Sequence, residues 1–562
     1  MYRRSIPALI LALIVSTTAF AQSQPVRARL GMVVSQNEMA SAIGRDVLND
    51  GGNAVDAAVA TALALAVVHP TAGNIGGGGL MLFRPATGKP LAYDFREMAP
   101  AKASPTMFLK DGKYDANLHH NSHLSVGVPG TVAGLHAAWK ENGKLPWKRL
   151  VEPAIALARD GFTISPNLAR SLRSALRSMQ PYPASVAQFS KNGVPYEAGE
   201  TLKQPDLART LTRIASTGPA GFYDGETALL IEKEMAAHGG LITREDLKAY
   251  DVKKRVPLTG SYRGYDILAF PPITSGGTAL IEMLNILEGY DLKASGFGSA
   301  ATVHLIVEAM RRAYADRAQY LGDPDFNPGM PLDRLTSKTY AADLRKSIHL
   351  DRASVSTPTS FTWPTESDET THLSVVDDQR NAASLTYTLE AGYGSKIVVP
   401  GAGFLLNNEM GDFNAGPGLT TAGGLIGTDP NLAAPHKRML SSMTPTILTK
   451  DGQLFMVTGS PGGRTIINTV LMTIVNVVDF GMNVQEAVDA PRVHHQWLPD
   501  RIDYERYGLS PDTIALLKQR GHVLREISAQ GVVEAIIYNQ KENLLEGGSD
   551  RRAAGGGIAA RQ

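Results

Sequence analysis

The chain has 562 residues, 43% hydrophobic and 19% charged, a balance that supports a large buried core and leaves no long tract with the composition of a disordered segment. With 55 basic and 54 acidic residues the net charge is +1, so there is no basic excess to hold nucleic acid. The absence of cysteine excludes a thiol nucleophile, disulfides and thiolate metal sites.

Residues 1–21 place Arg3 and Arg4 ahead of the apolar run Ile6 to Val15 and end in Ala19-Phe20-Ala21, the pattern of a secretory signal peptide. The apolar run is too short to span a bilayer. A mature chain beginning near Gln22, periplasmic or secreted and with no membrane attachment, is expected. Next come a short strand, Met32 to Ser35, and an alanine-rich helix opened by Asn53-Ala54-Val55-Asp56 and running to Val68. That helix is apolar on nearly every side and should be buried between layers.

Gly73 to Gly79 is rich in glycine, but it lacks the lysine and hydroxyl residue of a phosphate loop and precedes the strand-like run Leu80 to Phe83, so it reads as close backbone packing. Asp94-Phe95-Arg96 closes the following strand. An arginine fork there can grip a carboxylate; on the residues alone, a surface ion pair is the simpler reading.

Residues 131 to 350 read mainly as helical scaffold: Val132 to Glu141, Leu150 to Asp160, Leu207 to Ser216, Glu226 to His238, Ala279 to Leu287 and Thr302 to Tyr320. Lys253-Lys254-Arg255 reads as a solvated basic face. Asp323 to Gly329 has the look of a calcium loop, but Arg334 stands where the twelfth-position glutamate belongs, so no metal is expected there. Ser354 to Glu369, with Pro358 and Pro364, is the most linker-like stretch.

The run that follows, Thr370-Thr371-His372-Leu373-Ser374-Val375-Val376, reads as a buried strand. Across a turn at Asp377 to Asn381 it should pair with Ala383 to Leu389 as a hairpin, bringing Thr388 beside Thr370. A threonine hydroxyl needs a base to become a nucleophile. If the chain were cut between Glu369 and Thr370, the freed α-amine, titrating near ~8, would supply one from the same residue. Alone, a Thr-Thr pair is ordinary strand-entry composition, and Thr388 an ordinary strand threonine.

An ordered set of motifs widens the reading. Thr370-Thr371-His372, Thr386-Tyr387-Thr388, Leu406-Asn407-Asn408-Glu409-Met410-Gly411-Asp412-Phe413, Leu440-Ser441-Ser442-Met443-Thr444-Pro445-Thr446 and Thr458-Gly459-Ser460-Pro461-Gly462-Gly463 resemble the γ-glutamyltranspeptidases, N-terminal-nucleophile hydrolases. So do Asp94-Phe95-Arg96-Glu97, Gly127-Val128-Pro129-Gly130 and Pro272-Ile273-Thr274-Ser275-Gly276-Gly277 upstream.

The resemblance implies an α/β fold, a four-layer αββα sandwich, cut at Glu369-Thr370 into a large subunit (22–369) and a small catalytic subunit (370–562) that stay together as a heterodimer. It implies γ-glutamyl transfer from glutathione or another γ-glutamyl amide to water, an amino acid or a peptide, with no cofactor and no metal. Thr370 would be the nucleophile and Thr388 its orienting partner. Arg96, Ser441 and Ser442 would hold the substrate carboxylate, and Glu390, Glu409 and Asp412 its ammonium. Gly462 and Gly463 precede an apolar helix, Ile466 to Val478, and would offer backbone N–H groups to an oxyanion.

Asp412 to Ser441 resembles the family's lid loop, with Gly423 where some members place an aromatic gate. His494 and His495 read as structural, since no third metal ligand is evident. Two alternatives remain: an acylase acting on glutaryl or cephalosporin side chains, and a processing-defective periplasmic binding protein.

Overall fold

The computed structural model describes residues 23–356, 370–419, 427–553 and 555–562. The expected signal segment, Glu369, Gly423 and all but the first three residues of the expected 354–369 linker lie outside them.

Two seven-stranded sheets organise the chain. The first runs Lys253–Arg255, Leu91–Phe95, Gly78–Arg84, Ala382–Thr388, Thr370–Val376, Gly31–Ser35, Gly557–Arg561. The second runs Val26–Ala28, Leu544–Ser549, Glu534–Asn539, Gln453–Thr458, Thr446–Lys450, Tyr265–Ala269, Leu258–Tyr262. Neighbours in both are antiparallel.

Strand periodicity of two sorts the side chains into separate clusters. Met81 and Phe83 join Val33, Leu373, Val375 and the helix Ala54–Val68 in one cluster. Leu80 and Leu82 join Met32, Val34 and Val376, and meet Ile447, Val457, Ile536 and Leu545 of the second sheet. Leu448, Met456 and Ile537, on the other face of that sheet, pack with the helices Gly276–Leu287, Ala300–Tyr320 and Thr465–Val478.

The helix Ala54–Val68 is capped as its sequence suggests, Asn53 and Asp56 forming a reciprocal box, and all its residues are buried. It is tied to the central hairpin at its middle and at its N-terminus. The Tyr387 hydroxyl donates to the Ala62 carbonyl at 2.9 Å, and the Ala54 N–H donates to the Asp377 carboxylate at 3.0 Å. Asp377 also accepts from the N–H groups of Gln379 and Asn381, which fixes the turn.

The six helices expected between 131 and 350 are present, each within three residues of its expected ends. That region also supplies Lys253–Arg255, Leu258–Tyr262 and Tyr265–Ala269 to the two sheets, so it is not helical scaffold alone. Lys253-Lys254-Arg255 is an edge strand; Lys254 is exposed, but Arg255 pairs with Asp94 at 3.2 Å and Asp325 at 2.6 Å. Helices at Glu38–Asn49, Pro166–Met179 and Pro511–Gln519 had not been expected. Among the described residues no helix is long and apolar enough to cross a membrane.

Candidate active site

Thr370 opens a strand next to the central strand of the first sheet and faces Thr388 in register. Its hydroxyl donates to the Thr388 hydroxyl at 3.4 Å, and Thr388 in turn accepts the Glu390 N–H at 2.8 Å. The glycine-rich loop sets this end of the strand. Asn74 donates to the Thr388 carbonyl at 2.9 Å while its own oxygen accepts the Gly77 N–H at 2.9 Å. A Cβ on Gly77 would come within 2.0 Å of the Thr388 carbonyl oxygen, so the close-packing reading of that loop holds.

One cavity collects Arg96, Thr370, Thr388, Glu390, Glu409, Asp412, Ser441, Ser442 and Gly463, with Met443 and Ile466 as its apolar wall. Residues scattered across more than 360 positions of sequence therefore converge, and every described site residue foreseen from sequence except Gly462 lines it. Gly462 is the immediate neighbour. Gly462 (φ 130°) and Gly463 (φ 53°) bring the chain into the helix Thr465–Val478 in a conformation that side chains resist.

The cavity is dominated by charge. Arg96 is fully buried, contacts Glu409 and Asp412 directly, and donates to Glu97 at 3.3 Å. Burial alone would lower its pKa, but Glu409, Asp412 and Glu97 together raise it. Burial pushes Glu97 up to about 7 against the pull of Arg96, and raises Glu409 well above the usual carboxylate range with help from Glu97, Asp412 and Glu390. Glu97, Glu409 and Asp412 surround the guanidinium and Glu390 lines the same cavity, more carboxyl groups than one cation balances and a lining suited to a ligand cation. The sequence reading set the acids opposite Arg96; the structure puts two of them in contact with it. Glu97 was missed as a participant, although it stands next to Arg96 in the motif that drew attention to that residue.

Asn407 and Asn408 organise the acidic loop. Asn407 bridges the Gly76 and Gly127 carbonyls at 2.9 and 2.8 Å and accepts the Glu409 N–H at 3.0 Å, while Asn408 donates to Glu390. The two serines line the same cavity. Ser441 accepts the Met443 N–H at 3.0 Å, and Ser442 accepts from Arg317 at 2.9 Å.

His494 and His495 are buried and tied to Asn468 and Asp500, at 2.7 and 3.1 Å, as structural residues would be. Among the described residues, His304, Glu308 and His522 are close enough to share a cation. They do not suit one: Arg311 and Arg312 pair with Glu308 at 3.3 and 2.7 Å, and the two imidazoles hydrogen-bond each other at 2.8 Å. Asp323, in the rejected calcium loop, instead accepts the Arg438 N–H at 2.8 Å.

The family model for gamma-glutamyltranspeptidase matches residues 40–560, and the chain belongs to that family. It is 48% identical to the glutathione hydrolase proenzyme of Escherichia coli (strain K12), over 94% of this chain and 91% of that protein. It is 46% identical to the glutathione hydrolase proenzyme of Pseudomonas sp. (strain A14), over 89% and 88%. Among solved structures, the cephalosporin acylase from Bacillus halodurans superposes with a TM-score of 0.84 at 28% identity, covering 98% of this chain and 100% of that one.

Proposed function

We propose that this protein is a γ-glutamyltransferase and glutathione hydrolase that cuts itself between Glu369 and Thr370 and then uses Thr370 as its nucleophile. The observation that carries the reading is the shared cavity: a threonine hydroxyl at a strand start, beside a charged wall that fits an amino-acid head group. The three apolar clusters are consistent with helix, sheet, sheet and helix layers, the αββα sandwich of N-terminal-nucleophile hydrolases. Strands from the two sides of the proposed cut are hydrogen-bonded to one another within the first sheet, so residues 22–369 and 370–562 would remain paired as a heterodimer.

In maturation the Thr370 hydroxyl attacks the Glu369 carbonyl, the C–N bond breaks to free the Thr370 α-amine and leave an ester on the hydroxyl oxygen, and water hydrolyses that ester to the Glu369 carboxylate and the free hydroxyl. In turnover that amine takes the hydroxyl proton as Thr370 attacks the γ-amide carbonyl of the donor. The Gly462 and Gly463 N–H groups stabilise the oxyanion, and Thr388 orients the hydroxyl. The proton then passes to the departing amine, leaving a glutamyl ester on Thr370. Water or an acceptor amine resolves it, giving hydrolysis or transfer. Arg96, Ser441 and Ser442 bind the donor's α-carboxylate, and Glu390, Glu409 and Asp412 its ammonium.

The structural likeness to a cephalosporin acylase favours one other reading, hydrolysis of glutaryl amides. The crowd of acids around Arg96 speaks against it, because a glutaryl chain brings no cation to balance them. Initial rates with γ-glutamyl and glutaryl anilides decide: preference for the γ-glutamyl compound is expected, and preference for the glutaryl compound would replace this assignment with the acylase one.

A further inference from the structure

Behind the paired serines lies an arginine that the sequence pattern does not single out. Arg317 sits near the end of the helix Ala300–Tyr320, is 2% exposed, and does not line the cavity. It donates to the Ser442 hydroxyl oxygen at 2.9 Å and to the Ser275 hydroxyl oxygen at 2.7 Å. Ser275 passes the constraint on, its hydroxyl donating to the Ser441 carbonyl at 2.8 Å and its backbone N–H to the same oxygen at 2.9 Å. One buried guanidinium thus holds Ser442 directly and Ser441 through a single intermediary.

The direction of these bonds matters. A guanidinium has donors only, whereas a hydroxyl has one proton and two lone pairs. When Arg317 fills a lone pair of Ser442, the hydroxyl proton is left to be donated elsewhere, and Ser442 lines the cavity. Ser441 is in the same condition, its oxygen accepting the Met443 N–H at 3.0 Å. Both serines are therefore set as donors toward the cavity, with a positive charge behind them, an arrangement suited to an anion.

We propose that Arg317 is a positioning residue for donor specificity: it polarises and orients the Ser441–Ser442 wall so that the site selects donors carrying an α-carboxylate. This rests on the assignment of that wall to the substrate carboxylate. Arg317 touches neither substrate nor nucleophile, and its effect should appear in binding of one functional group rather than in the chemistry.

The test compares three donors on the cleaved enzyme: γ-glutamyl anilide, which has carboxylate and ammonium; glutaryl anilide, which has the carboxylate alone; and 4-aminobutyryl anilide, which has the ammonium alone. If wild type turns over the 4-aminobutyryl compound as well as the γ-glutamyl one, the carboxylate assignment itself falls, and the proposal with it. With wild type favouring γ-glutamyl, Arg317→Met is expected to lower kcat/KM for both carboxylate donors roughly 10- to 100-fold, mainly through KM, as loss of a charge-assisted hydrogen bond would. The 4-aminobutyryl donor should change by no more than about 2-fold.

Equal losses for all three donors, or no loss for any, would overturn the proposal. The ratio between donors does not depend on how much of the variant is active, so partial misfolding leaves the test intact. Should Arg317→Met give no cleaved protein, Arg317→Lys carries the same ratio. It keeps the charge but cannot present the paired donors of a guanidinium fork. In a Ser442→Ala background Arg317→Lys should shift the ratio less than it does in wild type, by only the part that passes through Ser275 to Ser441, and full additivity of the two changes would contradict the relay.

Discussion

Replacing Arg96 by methionine tests the charged network most severely. The change keeps the length of the side chain, removes the guanidinium, and leaves Glu97, Glu409 and Asp412 without the cation they share. A unit charge pair near 4 Å at an effective dielectric of about 20 interacts by about 4 kcal/mol, and desolvation offsets part of that. Removing one partner of a buried pair costs roughly 3–5 kcal/mol, because the other charge stays buried and uncompensated. The same value is expected here near pH 8.

The sign of the pH dependence follows from the acids. Glu97, raised to about 7 even with Arg96 present, goes higher still without it, so its carboxyl and that of Glu409 are neutral at acid pH and need no cation there. The loss should therefore shrink below pH 7 and grow above it. Denaturant unfolding of wild type and Arg96→Met at pH 5.5 and 8.5, followed by tryptophan fluorescence, measures both quantities. Equal stability at pH 8.5, or a gap of the same size at the two pH values, would refute the reasoning.

Thr388→Ala removes the hydroxyl 3.4 Å from that of Thr370 and should lower kcat about 10-fold, with Thr388→Ser restoring most of it; kcat assays of both variants read this directly. Gly462→Ala places a Cβ 2.5 Å from the Thr465 hydroxyl at a backbone φ of 130°. It should cut kcat by about 100-fold or more at nearly constant KM as an oxyanion donor is displaced, and unchanged kcat would remove these glycines from the mechanism. Glu97 binds its proton more tightly folded than unfolded, so wild type should lose roughly 3 kcal/mol from this residue between pH 4.5 and 7. Glu97→Gln should flatten that slope in unfolding titrations, and an unchanged slope would mean that Glu97 is not the group responsible.

How far these features can be read from sequence depends on the range of the interactions involved. The central hairpin is legible because alternation and a polar turn are local signals, and Thr370 and Thr388 pair as their spacing suggests. The glycine-rich loop is legible for a similar reason, since what it lacks already argues against a phosphate site. The site residues were found as motifs, but their mutual contacts were not. Arg96 and Asp412 are 316 positions apart, and nothing local announces that they touch.

Arg317 was passed over because an arginine on a mixed helix reads as a solvated face, while its burial depends on the Ser275 and Ser442 loops arriving from elsewhere. The strands Leu258–Tyr262 and Tyr265–Ala269 were missed for another reason. Short edge and near-edge strands with Gly260 and Ser261 carry little of the β-branched alternation that marks a buried strand.

The proposal that Thr370 supplies both hydroxyl and amine is tested most directly by N-terminal sequencing and intact mass measurement of purified, active enzyme, alongside Thr370→Ala. The account predicts a fragment spanning 370–562 that begins at Thr370 and carries the glutamyl group when trapped during turnover, and an uncleaved, inactive Thr370→Ala chain. Full activity from an unbroken chain, or from a fragment with a different first residue, would contradict it.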